Sequence, residues 1–262
     1  MILYSQALDD VVADLARTVE LLQHIDPSRI VAIGASRAAC GPWGSLAECV
    51  ALGLDTRPTF EFTYNAKRRT VLAVTPWFVP CNRRIILGRR RMLYVLRFRF
   101  PRFLDNNPLE LAIHELLHIS EKFDGAHRSL RHGVWFDRYV RQIQREWRRR
   151  GDPALAALME LDFAGLRRRF GAVACRCFRR PLKTPLRLRA PAPGDLASHP
   201  EIQRLGLRIG PEPPRTIPMK FDDPDPSPLT QEDFEYRVFH PRGSQRIALE
   251  LVQARADWRG MV

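Results

Sequence analysis

The stretch His114-Glu115-Leu116-Leu117-His118 decides how this chain folds and what chemistry it can support. In a helix, its two histidines project from one face a turn apart, so their ring nitrogens can share one metal ion. Glu115 then lies beside the open coordination position, where a carboxylate can take a proton from water. The spacing therefore predicts a helix that carries two metal ligands, His114 and His118, and a general base, Glu115.

The residues before this stretch predict where its helix begins. Asn107-Pro108-Leu109-Glu110 supplies an N-cap, a proline at the first helical position and a glutamate at the third position that completes a capping box. Apolar residues then recur at offsets of four, seven and eight, which is the pattern of a helix buried on one side. These apolar positions are Leu109, Ile113, Leu116 and Leu117. The two histidines lie off this stripe, which favours a metal site over a pair of core histidines.

A third ligand is needed, because a catalytic zinc takes three protein ligands and keeps one position for water. The downstream candidates are Asp124, His127 and His132. Asp124 follows His118 by six residues, the spacing of the third ligand in metzincins, but Glu121 occupies the place of their turn glycine. The two histidines come within reach if Gly125 ends the helix and turns the chain back, since glycine tolerates left-handed geometry. Spacing alone leaves the three candidates open.

A family resemblance ranks these candidates. From about Ser28 to Gly133 the chain resembles the phage-type metallopeptidases, a group similar to the SprT-like zincins. The segments that carry the resemblance are the strands Ile30–Ile33 and Tyr94–Phe98, the block Ile113–Ile119, and Phe123-Asp124-Gly125 followed by Arg131-His132. In that family the helix is followed by an aromatic-x-Gly turn and then a histidine, which His132 matches. The resemblance implies a zinc-dependent peptidase domain with His132 as third ligand, His127 ranking second and Asp124 third.

The fold that we expect is α+β. Residues 1–172 should form a zincin-like domain, in which a small, mostly antiparallel sheet packs on the metal-binding helix. In zincins, which the chain resembles, a strand beside that helix lines the cleft and pairs with substrate, and Arg97 and Arg99 would then face the substrate. Alternatively, they form the solvated face of a half-buried strand, whose other face carries Met92, Tyr94, Leu96, Phe98 and Phe100. Helices are expected at 45–53, 135–150 and 153–170. Residues 173–262 should form a proline-rich extension that ends in a hairpin, with Tyr236–Phe239 paired to Ile247–Val252.

Composition bounds the remaining possibilities. With 262 residues, 45% of them hydrophobic, the chain can bury a full core. It has no run of about 18 apolar residues and its start lacks the layout of a signal peptide, so we expect a cytoplasmic protein without a membrane partner. The five cysteines are odd in number and lack Cys-x-x-Cys spacing, which predicts reduced and mostly buried thiols.

The formal net charge of +13 raises the question of whether the protein binds nucleic acid. Only four of the 42 basic residues are lysines, and such a bias toward arginine can arise from codon usage alone. The arginines nevertheless cluster, at Arg89–Arg91, Arg148–Arg150, Arg167–Arg169 and Arg179–Arg180. Clusters of this kind would attract phosphates nonspecifically. The sequence motifs of specific nucleic-acid readers do not accompany them.

These observations lead to one function and one rival. The leading function is a zinc-dependent metallopeptidase that hydrolyses protein or peptide substrates, with Glu115 as general base and His114, His118 and His132 holding Zn²⁺. The rival is a nonenzymatic or DNA-associated basic protein, in which the zinc or a vestigial histidine site is structural.

Overall fold

The computed structural model describes residues 1–36, 45–53, 60–76, 79–128, 130, 132–186, 193–210, 214–216, 227–241 and 243–248. Its α-helices are α1 (Tyr4–Thr18), α2 (Pro108–Leu117), α3 (Val134–Arg150), α4 (Pro153–Met159), α5 (Phe163–Phe170), α6 (Pro193–Ala197) and α7 (Pro200–Arg204). Its strands are β1 (Ile2–Leu3), β2 (Ile30–Ser36), β3 (Ala47–Ala51), β4 (Phe60–Asn65), β5 (Thr70–Pro76), β6 (Val79–Asn82), β7 (Ile86–Leu87), β8 (Arg90–Arg91), β9 (Tyr94–Phe100), β10 (Val173–Phe178), β11 (Lys183–Leu186), β12 (Arg208–Ile209), β13 (Arg215–Thr216), β14 (Phe234–His240) and β15 (Gly243–Ile247). The protein is therefore a mixed α+β protein with several small sheets.

The chain divides into two compact units. Unit 1 consists of Met1–Leu54, Arg84–Leu182 and Pro228–Val262, and unit 2 consists of Asp55–Arg83 and Lys183–Ser227. The predicted boundary between residues 172 and 173 falls inside unit 1, because β10 pairs in parallel with β1 and antiparallel with β14. The predicted division into an N-terminal domain and a C-terminal extension is corrected accordingly. The order of residues along the chain does not reveal that unit 1 is built from three separate segments, with the two segments of unit 2 between them.

A three-stranded sheet in the order β2-β9-β3 lies beside α2, the helix that carries His114 and His118. β2 pairs in parallel with β9, from Ile30 opposite Tyr94 onward, whereas β3 pairs antiparallel with β9. The sheet is thus mixed rather than mostly antiparallel. β3 occupies residues for which the sequence predicted a helix at 45–53, so that prediction was wrong. In an alternating strand every second side chain can be buried, and Ala47, Cys49 and Val50 are.

The central strand β9 separates two apolar clusters. Tyr94, Leu96, Phe98 and Phe100 are buried in the same cluster as the apolar stripe of α2. Val95, between the first two of them in the chain, belongs to the second cluster with residues such as Val31 and Ile33 of β2. The predicted alternation is therefore confirmed from Tyr94 to Phe100, and it places the main core between the sheet and α2. Met92, which was predicted to lie on the same face, belongs to the second cluster instead.

Helix α2 begins where the sequence predicted. Asn107 is the N-cap and its side-chain oxygen accepts a hydrogen bond from Glu110 N–H at 3.3 Å, with Pro108 at the first helical position. The return contact differs from a standard capping box, because the Glu110 carboxylate accepts from the Asn107 side-chain amide at 2.7 Å. The apolar stripe is buried as expected, with Leu109, Ile113, Leu116 and Leu117 at most 6% exposed.

A second sheet in unit 1 has the order β1-β10-β14-β15. β14 and β15 form a C-terminal hairpin, with Tyr236 opposite Ile247. A hairpin was predicted here, but its second strand is Gly243–Ile247 and shares only Ile247 with the predicted strand Ile247–Val252. Residues 249–252 of that prediction lie outside the described part of the chain, as do residues 187–192, 211–213 and 217–226 of the predicted proline-rich extension. In unit 2, β5 pairs with β4, β12 and β13, and β6 pairs with β11.

Helix α3 buries a single stripe of apolar side chains. Phe136, Val140, Ile143 and Trp147 are buried, whereas Tyr139 is 44% exposed. The helix predicted at 153–170 is two helices, α4 and α5. The break comes at Asp162, whose carboxylate caps α5 by accepting from Gly165 N–H at 2.6 Å.

Two further expectations concern membranes and thiols. Within the described residues, no helix is long and apolar enough to cross a lipid bilayer. Cys49, Cys175 and Cys177 are free and buried, as predicted for reduced thiols. Cys40 lies outside the described residues.

A buried carboxylate joins α1, α3 and the start of α4. Asp14, only 6% exposed, accepts hydrogen bonds through Oδ2 from Trp147 Nε1–H at 2.7 Å and from Asp152 N–H at 2.8 Å. Its Oδ1 pairs with the Arg17 guanidinium. Because these groups belong to three helices that are distant in sequence, the carboxylate fixes how the helices pack.

We expect Asp14→Ala to lower the free energy of unfolding by about 3 kcal/mol, since it leaves the indole and the Asp152 amide without an acceptor. Asp14→Asn retains one acceptor oxygen and should cost clearly less. Urea unfolding followed by circular dichroism would compare the two variants with the parent protein. Equal stability of all three proteins would contradict this role.

Candidate metal centre

The two helical histidines lie together on the half-exposed side of α2. His114 is in the last turn and His118 is the C-cap residue, and their ring centroids lie 5.1 Å apart. Neither belongs to the buried apolar stripe. The helix is therefore held by its leucines, while the histidines remain available to a ligand.

His132 completes a three-histidine cluster. Its Nε2 lies 3.2 Å from His118 Nε2, and its ring stacks on His114 with centroids 5.0 Å apart. The ligand atoms of the three residues all lie within 4.8 Å of one another. Tetrahedral coordination at a metal–nitrogen distance near 2.05 Å requires nitrogens about 3.3 Å apart. The three histidines can thus hold one metal ion, and the sequence prediction of His132 as their partner agrees with this geometry.

A short return segment brings the chain back after α2. The helix ends at Leu117, before the glycine that was expected to end it. Gly125 instead shapes the segment: its φ is +83°, and a Cβ there would lie 2.4 Å from the Cα of Gly53. Its carbonyl accepts from Gly53 N–H at 3.0 Å, which ties the segment to the chain just after β3. Glycine is required here by both the backbone conformation and the close approach.

Tyr94 of β9 holds the same segment from the other side. Its hydroxyl accepts from Gly125 N–H at 3.0 Å and donates to Ala126 O at 2.9 Å. The ring of Phe123, the aromatic residue of the turn, lies 5.3 Å from that of Tyr94. The aromatic-x-Gly turn is therefore anchored to the central strand, and the chain leaves it in the direction of His132.

The other two ligand candidates lie elsewhere. His127 Nε2 lies 3.2 Å from Ala51 N and 3.0 Å from Cys49 O, so the ring is held against the backbone of β3 through this nitrogen. Asp124 accepts from Ala126 N–H at 3.1 Å and thereby shapes the turn. Neither residue belongs to the histidine cluster.

Phe136 of α3 supports all three histidine rings. Its centroid lies 4.6 Å from His114, 5.6 Å from His118 and 4.9 Å from His132, and the side chain is 3% exposed. An aromatic floor restricts the rotamers of the rings and excludes water from one side of the cluster. Sequence analysis missed this residue, although counting back from Trp147 by eleven positions would have placed it on the buried stripe.

Glu115 is buried beside the cluster. It is 7% exposed, and its Oε2 accepts a hydrogen bond from Cys49 N–H of β3 at 2.6 Å. Burial raises the pKa of the Glu115 carboxyl to about 7, and this effect exceeds the opposing one of the Cys49 hydrogen bond. The nearby Glu48 carboxylate raises it further. A carboxylate in this environment has the basicity of a general base.

The two histidines of α2 favour the neutral form. Burial and then the neighbouring His114 and His132 lower the pKa of His118 to about 4, and burial followed by His132 lowers the pKa of His114. Neutral imidazole is the form that binds a metal ion, so these two side chains are in the protonation state that a ligand needs.

The strand that could pair with a substrate is β3 and not β9. β9 is paired on both sides and therefore has no free edge, which corrects the prediction for the strand before the helix. Arg97 and Arg99 also differ from expectation, since both form ion pairs with Glu48 of β3. The sheet edge beside the metal centre comes from a segment that the sequence predicted to be helical.

Alternation along β3 shows which groups face outward. Leu52 N–H donates to Leu93 O at 2.8 Å and Arg99 N–H donates to Leu46 O at 2.9 Å, so the backbone N–H and C=O groups of even-numbered residues in β3 point toward β9. The backbone N–H groups of Cys49 and Ala51 point away from β9, to Glu115 and His127 respectively. By the same alternation, the backbone N–H and C=O of Ala47 also point away from β9.

Comparisons of this chain with family models, with curated proteins and with solved structures gave no match. The case for a functional site accordingly rests on the geometry of the histidine cluster and its neighbours.

We expect His132→Ala to weaken the affinity for a divalent transition metal by more than the roughly 10–100-fold that loss of an outer partner costs, because it removes a ligand. His127→Ala and Asp124→Ala should have smaller effects, since those side chains bind β3 and the turn. Chelator competition with Co²⁺ and Zn²⁺ would rank the three variants. If Asp124→Ala abolishes binding while His132→Ala does not, the third ligand follows metzincin spacing.

Proposed function

We propose that this protein is a zinc-dependent metallopeptidase of zincin type, in which His114, His118 and His132 hold zinc and Glu115 is the general base. The observation that carries the proposal is the convergence of three imidazoles, two of which lie on the helix that also carries the buried Glu115 carboxylate. Each component has a separate role in the hydrolysis of a peptide bond.

The donor set favours zinc. Three imidazole nitrogens match the ligand type and number of a catalytic zinc site, which keeps its fourth position for water or substrate. A structural zinc site usually has four protein ligands. Among the residues that the structure describes, the cluster offers three. When bound, zinc would lower the pKa of a water molecule and polarise the substrate carbonyl.

Glu115 would take the proton from the attacking water. Its Oε2 is held by Cys49 N–H, which orients the carboxylate and leaves Oε1 for the proton transfer. The same carboxyl can then deliver the proton to the leaving amine, so that no net proton is gained or lost by the enzyme. Burial of the side chain supports this role because it raises the affinity of the carboxylate for protons.

The substrate would be an extended polypeptide that pairs with the outward edge of β3. Beyond Cys49, this edge is occupied by His127 and by the backbone of Gly125. Ala47, on the other side of the Glu115 contact, offers its N–H and C=O to a peptide chain. Strand addition here would bring a peptide carbonyl toward the helix that carries the histidines.

The rival function is a nonenzymatic or DNA-associated basic protein with a structural metal. Its support is the net charge of +13 and the arginine clusters. It explains Glu115 only through the hydrogen bond that the carboxylate accepts from Cys49 N–H, and gives its proton affinity no role. The two functions therefore differ in what removal of the Glu115 charge should do.

Glu115→Gln should abolish cleavage of unfolded proteins while zinc content stays near one ion per chain, because the amide retains the shape but not the basicity of the carboxylate. His118→Ala should lose both zinc and activity. Metal analysis of protein purified without chelators, together with cleavage assays on a reduced and alkylated substrate, would measure both. Glu121→Gln, at an exposed glutamate, is the matched control and should behave as the parent protein.

An inactive parent protein that holds zinc would contradict the peptidase proposal. So would a Glu115→Gln variant with unchanged activity, since a different base would then be needed.

Ala47→Pro should raise KM for extended peptides about 3- to 10-fold with little change in kcat, because proline removes one outward N–H donor without breaking a bond to β9. Steady-state kinetics would give the two constants, and thermal melting and zinc content would verify that the fold and the site persist. An unchanged KM would show that substrate does not pair with this edge.

A further inference from the structure

The outer face of α3 carries unusually exposed apolar side chains next to the metal centre. Val134 is 79% exposed, Trp135 is 69% exposed and Tyr139 is 44% exposed. Trp135 and Tyr139 are four residues apart and so lie one above the other on the same side of the helix. Large aromatic side chains exposed side by side in this way mark a binding surface more often than isolated exposed residues do.

A row of arginines continues this surface along the helix. Arg138, Arg141, Arg145 and Arg149 follow one another at intervals of three or four residues, and all are exposed. Arg148 and Arg150 of the same helix are paired with Glu160 and Glu146. The four arginines of the row form no ion pair with an acidic group in the described part of the chain. They are therefore free to bind an anionic partner.

The surface is continuous with the metal centre through Phe136. That residue contacts the three histidine rings from the inner face of α3, and Trp135 precedes it directly in the chain. The guanidinium carbon of Arg138 lies 5.4 Å from the centroid of the Trp135 ring, which joins the aromatic part of the surface to the arginine row. A chain that leaves the metal centre over α3 would meet Trp135 first, then Arg138 and Tyr139, and the other three arginines last.

We propose that the outer face of α3 selects polypeptide substrates that carry a bulky apolar residue close to the scissile bond and acidic residues beyond it. Trp135 and Tyr139 bind the apolar side chain, and Arg138, Arg141, Arg145 and Arg149 bind the carboxylates. This inference rests on the proposed peptidase function and names the substrate class of the same site.

The dimensions agree with a peptide. The arginine row extends over twelve residues of helix, about 16 Å at 1.5 Å per residue step. An extended peptide covers that distance with about five residues at 3.3 Å each. The row can thus contact acidic side chains at alternate positions of a short segment. Single-stranded nucleic acid could stack bases on the same aromatic rings. We favour a polypeptide because the surface lies on the helix that supports the proposed peptidase site, and the experiment below tests the nucleic acid.

Binding can be measured apart from cleavage in the Glu115→Gln protein loaded with zinc. The probe is a fluorescein-labelled, unstructured peptide with one phenylalanine followed by glutamates at alternate positions, and anisotropy gives its Kd. Two companion peptides replace the phenylalanine by serine or the glutamates by glutamines. Oligothymidylate with the same label tests the nucleic-acid alternative.

Replacing the phenylalanine or the glutamates should each weaken binding by about tenfold or more. The double variant Trp135→Ser, Tyr139→Ser should lose the preference for phenylalanine. The double variant Arg141→Glu, Arg145→Glu should lose the preference for glutamate. Arg167→Glu with Arg168→Glu on α5 makes the same change of charge away from this surface and should leave the Kd unchanged. Melting temperature and zinc content would confirm that each variant is folded.

The proposal is overturned if the three peptides bind alike, if the α3 and α5 variants lose affinity equally, or if oligothymidylate binds more tightly and depends on the same α3 residues. Its failure is distinguishable from failure of the peptidase function. A parent protein that cleaves unfolded proteins but binds the peptides without preference contradicts only the selectivity. An inactive parent protein that shows the preference contradicts only the peptidase.

Discussion

The hydrogen bond from Cys49 N–H to the Glu115 carboxylate is the contact on which the metal centre depends. It joins α2 to the outward edge of β3, two elements separated by more than sixty residues. Because the leucines of α2 occupy the core on one side, this bond fixes the rotation of the helix about its axis. The two helical histidines then face a single point, and the return segment has only to deliver a third.

Three contacts hold the return segment. They are the hydrogen bonds of the Tyr94 hydroxyl to its backbone and the close approach of Gly125 to Gly53. The third is made by the His127 ring, which binds the backbone of β3 and lies outside the histidine cluster. One segment thus excludes one histidine from the cluster and directs the next, His132, into it. The outcome depends on hydrogen bonds that spacing along the chain does not reveal.

The buried face of α3 supports the histidine cluster, and its exposed face is the one for which we propose substrate recognition. Its inner face presents Phe136 to the histidines and packs Trp147 against the Asp14 carboxylate, so the helix is fixed at both ends. A helix fixed in this way can expose aromatic residues at modest cost, because the buried stripe provides its stability. The proposed selectivity for substrate would then be built on the same rigid element that supports the metal ligands.

The sequence by itself determined α2, its start at Asn107, its buried stripe and the spacing of His114, Glu115 and His118, because these follow from interactions within a few residues. It also predicted the alternation of β9, a local property of an extended strand. Only the tertiary structure decided that β3 is a strand, that β10 belongs to unit 1 and that His132 joins the cluster where His127 does not. Those outcomes depend on pairing between segments distant in the chain, and such contacts override local propensity.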